Sequence, residues 1–142
     1  MIKRTAVAVW QGDLKDGSGS LALGSGAFEG QYSFTSRFEE GAGTNPEELI
    51  GAANAGCFSM ALSGDLSKAG YTVDEIKTEA IVSMEKGDSG FSITRIKLIS
   101  KARVKDIDMK TFADFASGAK KNCPISRALS AVDIHLEAHL LK

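Results

Sequence analysis

Asn45-Pro46-Glu47-Glu48-Leu49-Ile50-Gly51-Ala52-Ala53-Asn54-Ala55-Gly56-Cys57-Phe58-Ser59-Met60-Ala61 is the stretch on which the fold turns. It opens as a helix start. Asn45 suits an N-cap, Pro46 the first helical position, and Glu47 and Glu48 put negative charge in the first turn. Leu49, Ile50, Ala53, Cys57, Met60 and Ala61 then recur at three- and four-residue spacing. The pattern predicts a helix to about Ala69, stopped by a left-handed Gly70. Apart from Cys57, no ionisable side chain stands between Glu48 and Asp65. A helix apolar nearly all round is a buried one, so this is expected to be the central helix, with Cys57 buried in it. Its alanines and glycines would let a second backbone come close. Gly56 costs ~1 kcal/mol relative to Ala in a helix interior, a cost that close packing would offset.

Working outward, residues 4–11, 19–24 and 31–36 read as three strands, with a glycine-rich connection at 24–30 and a flexible link at 38–43. Beyond the helix, 73–86 and 91–104 alternate around the turn Lys86-Gly87-Asp88-Ser89-Gly90 and read as a β-hairpin. Residues 109–121 read as an amphipathic helix with Phe112, Phe115, Ala116 and Ala119 on one face. A short helical turn at 124–129 and a last alternating strand at 131–141 follow. The order β-β-β-α-β-β-α-α-β, with strands in runs, argues for an α+β fold. At 142 residues the chain fits a single domain, 1–142, with a real core.

Composition excludes more than it assigns. A formal net charge of −1 gives no footprint for nucleic acid, so no nucleic-acid partner is expected. No apolar run is long enough to cross a membrane, so no membrane partner is expected either. Met1-Ile2-Lys3-Arg4 carries signal-peptide charges, but its apolar stretch is too short and no small-residue cleavage site follows. It reads as the approach to a first strand in a cytoplasmic protein. Two cysteines in that compartment are seldom a structural staple; disulfides there are usually transient and catalytic or redox-sensing. No CxxC and no Cys/His cluster has zinc spacing, and His135 and His139 read as one open face of the last strand, so no metal site is expected.

The chemistry rests on thiols. Cys123 stands before Pro124, a first-position residue, so free N–H groups at a helix start would stabilise its thiolate. A buried Cys57 needs a positive charge to become nucleophilic. Arg37, at the end of the third strand, is the candidate, because guanidinium stays charged and presents several donors in a fork. Glu47 or Glu48 would orient it. Glu47 and Cys57 are ten residues apart on one helix, roughly 15 Å along its axis. Either Arg37 bridges the gap, or the charge comes from a second subunit. Plainer readings stay open here: two packed thiols, a strand-end arginine, and carboxylates that compensate a helix dipole.

Trp10-Gln11-Gly12-Asp13, Arg37-Phe38-Glu39, Gly43-Thr44-Asn45-Pro46-Glu47-Glu48-Leu49, Ala55-Gly56-Cys57-Phe58-Ser59-Met60 and Cys123-Pro124-Ile125-Ser126 together resemble the OsmC/Ohr family of bacterial hydroperoxide reductases. The resemblance covers essentially the whole chain, and Arg37 just ahead of the Asn-Pro-Glu block is closer to the OsmC branch. Gly56 replaces the alanine often found before the first cysteine. The resemblance implies antiparallel sheets wrapped around central helices in an intertwined homodimer. It implies a peroxidase for organic hydroperoxides, acting in oxidative or osmotic stress. Cys57 would be the peroxidatic cysteine, Cys123 the resolving one, Arg37 the activating arginine and Glu47 its carboxylate partner. A dithiol such as dihydrolipoamide or a lipoyl protein would reset the Cys57–Cys123 disulfide. The resemblance implies no cofactor: no metal, haem or flavin is used. Phe58, Met60 and Ala53 would line the substrate path. The alternative is a non-enzymatic redox sensor or stress-induced binding protein.

Overall fold

A computed structural model describes residues 1–142 as six strands and four helices. The chain divides into two compact units, residues 1–49 and 50–142.

In the first unit, β1 (Ala6–Gln11), β2 (Ser18–Leu23) and β3 (Glu29–Tyr32) form an antiparallel meander in the order β1-β2-β3. Trp10 and Tyr32 meet across it with ring centroids 5.3 Å apart. The expected strand at 31–36 is cut short: after Tyr32 the chain turns into α1 (Phe34–Phe38). The reason is local. Ser33 Oγ accepts from the Ser36 N–H, and Ser36 Oγ accepts from the Ser33 N–H, a reciprocal cap that closes a helical turn. Arg37 therefore sits in the last turn of a short helix, not at a strand end.

The helix α2 (Pro46–Lys68) begins as expected. Asn45 Oδ1 accepts from the Glu48 N–H at 2.8 Å, and past its end Gly70 is left-handed at φ 94°. In the second unit its row of Asn54, Phe58, Leu62 and Leu66 is fully buried. The opposite row is not. Ala52, Ala53, Gly56, Met60 and Gly64 are all exposed within the chain, Met60 by 80%. The helix is thus buried on one face, and the close approach falls at Gly51 instead of Gly56. A Cβ on Gly51 would meet Val82 Cγ2 at 3.2 Å, whereas one on Gly56 would meet nothing within 4 Å.

β4 (Val73–Gly87) and β5 (Gly90–Val104) form the long antiparallel hairpin, with Gly90 at φ 109° in its turn. α3 (Met109–Asn122) and α4 (Pro124–Ala128) then cross back, and β6 (Asp133–Leu140) pairs with β5 in parallel. Nothing in the alternation of β6 announced that direction. It follows from the helical crossover that a parallel pair requires. Phe58, Leu62 and Leu66 pack with Ile96, Leu98 and Ala102 of β5 and with Phe112, Ala116 and Ala119 of α3. Burying each of the leucine, isoleucine and phenylalanine side chains in this set contributes about 1.5–3 kcal/mol. The alternation of β6 leaves Asp133, His135, Glu137 and His139 on its exposed face.

Candidate functional site

The first unit builds an ion pair. Asn45 does two things there: its carbonyl caps α2, and its amide donates to the Ser36 carbonyl at 3.1 Å. Ser36 Oγ donates to the Thr44 carbonyl at 2.7 Å. These bonds fix the end of α1 against the start of α2 and so bring Arg37 to Glu47. Arg37 Nη2 donates to Glu47 Oε1 at 2.8 Å, and Nε reaches Oε1 and Oε2 at 3.1 and 3.3 Å. The Glu47 side chain is 11% exposed and that of Arg37 37%. The bonds to the carboxylate occupy Nε and Nη2, and the guanidinium lies 5.1 Å over the Phe38 ring. Beside it opens a cavity of about 160 Å³ lined by Trp10, Leu14, Tyr32, Phe34, Arg37 and Phe38. That aromatic lining is not the one expected from the sequence. Phe58 is a core residue with no exposure, and Met60 lies open.

The second unit brings the thiols together. Cys123 is fully buried at its helix start, but Cys57, expected to be buried, is partly exposed. Cys57 lies beside the buried row of α2, not on it. Cys123 occupies the corner between two helices, closing α3 through its N–H to Ala119 O at 3.0 Å and capping α4. Both are free thiols, close enough that each perturbs the other's proton.

The two thiols have different surroundings. Burial pushes the Cys57 thiol up, and the neighbouring Cys123 pushes it further; the Ile125 backbone acts weakly the other way. Burial also opposes a Cys123 thiolate. It is outweighed by the neighbouring Cys57, the Ser126 N–H and hydroxyl, and the Ile125 backbone, which together hold Cys123 below the ordinary thiol range. The Ser126 N–H stands 3.5 Å from Cys123 Sγ. Burial thus opposes a thiolate at both sulfurs, the Ser126 donors favour one at Cys123, and no cationic side chain is among the groups that move Cys57.

Two residues here escaped the sequence reading. Ser126 is buried, and Asn54, with no exposure, donates through Nδ2 to Ser126 Oγ at 2.9 Å. Asn54 Oδ1 is buried without a partner. The available signal was an amide in a run of alanine and glycine, three residues before Cys57 and on the core row.

The α+β chain thus carries a pair of free thiols in one unit and an arginine–carboxylate pair in the other. The model of the OsmC-like protein family matches residues 39–137. Peroxiredoxin OsmC of Escherichia coli is 50% identical over 131 residues, 92% of each chain. The organic hydroperoxide resistance protein OhrB of Bacillus subtilis is 32% identical over 97 residues, 67% of this chain and 69% of that one. The crystal structure of OhrB superposes with a TM-score of 0.71, covering 96% of this chain and 98% of that one at 25% identity. An OsmC-like protein of Mycoplasma pneumoniae, 16% identical, shares the fold at a TM-score of 0.79 with 99% of both chains covered. The chain belongs to the OsmC-like protein family.

Proposed function

We propose that the protein is a thiol-dependent peroxidase, a single OsmC-like domain working as a homodimer, that reduces organic hydroperoxides to alcohols. The observation that carries this reading is the neighbouring pair of free thiols, Cys57 partly open and Cys123 enclosed. Its half-identity to a peroxiredoxin supports the reaction class.

The Cys57 thiolate attacks the distal peroxide oxygen. The O–O bond breaks, the alkoxide leaves and takes a proton as the alcohol, and Cys57 becomes a sulfenic acid. Cys123 displaces its hydroxyl as water and closes the Cys57–Cys123 disulfide. A dithiol such as dihydrolipoamide, free or on a lipoyl protein, exchanges with that disulfide, leaving oxidised as a cyclic disulfide and restoring both thiols. No metal, haem or flavin enters.

Because burial raises the Cys57 thiol, the attack needs an added positive charge. We assign that charge to Arg37, held by Glu47 and coming from the same chain or from its partner in the dimer, with guanidinium donors to spare for the peroxide oxygen. The aromatic cavity beside Arg37 takes the organic substituent. The uncharged open face of α2 and the exposed Val7 and Val9 of β1 supply apolar surface for a second chain. The test is a peroxide panel, alkyl and aryl hydroperoxides against hydrogen peroxide, assayed with dihydrolipoamide and with thioredoxin. Efficient turnover of the organic peroxides with dihydrolipoamide is expected; no peroxide consumption with either reductant overturns the reading.

A further inference from the structure

The peroxidase reading leaves one step undetermined: which sulfur of the disulfide the reductant attacks. We propose that Asn54, acting through Ser126, holds Cys123 as the leaving thiolate, so that the reductant attacks Cys57 and the mixed disulfide forms there. The proposal takes its reductant, a dithiol, from the peroxidase reading; its geometry stands independently.

Three observations carry it. Cys57 is partly exposed, whereas Cys123 has no exposed surface, so an incoming thiolate reaches the first sulfur and not the second. Cys123 Sγ accepts from the Ser126 N–H at 3.5 Å, and the neighbouring Ser126 hydroxyl also favours its thiolate. The hydroxyl has one proton to give and an oxygen to receive. Asn54 Nδ2 donates to that oxygen at 2.9 Å, which leaves the hydroxyl proton for the sulfur. Asn54 and Ser126 are both buried, and burial strengthens such a chain. The amide also carries a cost, since Asn54 Oδ1 is buried unpartnered. A leucine of similar size would avoid that cost and would lose the relay.

The step balances. A reductant thiolate forms a bond to Cys57 Sγ while the Cys57–Cys123 bond breaks, and its electron pair stays on Cys123 as a thiolate. The lower the pKa of a leaving thiol, the faster it leaves. The second thiol of the reductant, as its thiolate, attacks the reductant sulfur of the mixed disulfide. It forms the cyclic disulfide and releases Cys57. Asn54 and Ser126 are positioning residues in this step; neither touches the reductant.

The full chain is first oxidised with diamide, so that the test does not depend on peroxide turnover. Glutathione, a monothiol that stops at the mixed disulfide, is added; early samples are quenched in acid, alkylated with N-ethylmaleimide and mapped by mass spectrometry. The expected result is glutathione on Cys57 and maleimide on Cys123. Glutathione on Cys123, an even mixture, or failure of diamide to close the disulfide overturns the proposal. Asn54→Leu and Ser126→Ala should slow glutathione capture about tenfold, the worth of one hydrogen bond behind a thiolate. Both should also raise the Cys123 thiolate midpoint, read by ultraviolet thiolate absorbance in a Cys57→Ser background, and Ser126→Thr should restore it. An unmoved midpoint in Asn54→Leu removes the relay. A protein inert to peroxide but with glutathione on Cys57 would sink the peroxidase reading alone, and an active peroxidase with glutathione on Cys123 the inference alone.

Discussion

Arg37→Ala should damage the protein in two separable ways. The substitution strands Glu47, whose side chain is 11% exposed and loses contacts of 2.8, 3.1 and 3.3 Å. Breaking a buried ion pair from one side costs about 3–5 kcal/mol. Arg37 itself is 37% exposed, so solvent already screens the pair and water can replace the guanidinium. The expected loss is therefore about 2 kcal/mol, or roughly 7 °C in the unfolding midpoint of a chain this size. Arg37→Ala/Glu47→Ala strands neither charge and should recover more than half of that loss. The peroxide step behaves differently. If the guanidinium holds the Cys57 thiolate, both variants lose the same donor, and both should be slower by about a hundredfold or more. Urea unfolding and single-turnover peroxide consumption on wild type, both single variants and the double variant give the cycle. A double variant that regains wild-type rate would refute the reasoning, because Arg37 would then serve only to neutralise Glu47. Equal stability of all four proteins would show that the pair holds nothing.

Other outcomes follow from the same geometry. Cys57→Ser should abolish peroxide consumption, the hydroxyl being a far weaker nucleophile at neutral pH; substantial turnover in it would remove the assignment. Cys123→Ser should reduce about one equivalent of peroxide, then stall, with sulfinic or sulfonic acid on Cys57 by mass spectrometry. Sedimentation at low micromolar concentration should find a dimer. Co-refolding Cys57→Ser with Glu47→Ala chains should give activity above both parents if Glu47 acts across the interface; a stable, active monomer would end the composite-site idea. The Asp108 carboxylate, which caps α3, is held below its ordinary 3.8 by the Thr111 hydroxyl and N–H, the hydroxyl bond first. Its folded pKa is depressed, so its contribution is present above 3.8 and lost as pH falls through the lowered value. Thermal melts of Asp108→Asn from pH 5 downward should show a shallower decline than wild type.

Where charge and cap residues marked a boundary, the sequence was legible. Asn45, Pro46 and the two glutamates announced the start of α2, and Gly70 its end, because each acts within one turn. Ser33 and Ser36 were harder, since Tyr32 and Phe34 continue a strand-like alternation and only the reciprocal serine bonds turn the chain. The parallel pairing of β6 is a matter of topology, invisible in a strand's own pattern. The two cysteines were named as the chemical residues, but Cys57 proved partly exposed where burial was expected. At 100° per residue, Cys57 lies well off the row of Asn54, Phe58 and Leu62, and counting apolar neighbours along the chain hides that. Asn54 and Ser126 stayed unread because their meeting depends on the α3–α4 corner that brings Ser126 back to α2.

The proton of the thiol pair ties the two halves of the reaction to different parts of the chain. Attack on peroxide needs the negative charge on Cys57, and expulsion from the disulfide needs it on Cys123. Burial opposes a thiolate at both sulfurs and Ile125 donates to both, whereas the Ser126 donors favour Cys123 alone. An arginine that favours the first state therefore works against Ser126, and substitutions at the two positions should separate the half-reactions. Arg37→Ala should slow the peroxide step and leave glutathione capture of the disulfide within about twofold. Ser126→Ala should slow capture about tenfold and leave the peroxide step unchanged or faster, since a weaker hold on the Cys123 thiolate returns charge to Cys57. Rapid-quench measurement of each half-reaction reads both effects. If the two variants slow the same half-reaction, the pair does not divide its charge in this way, and the roles of Arg37 and Ser126 must be assigned afresh.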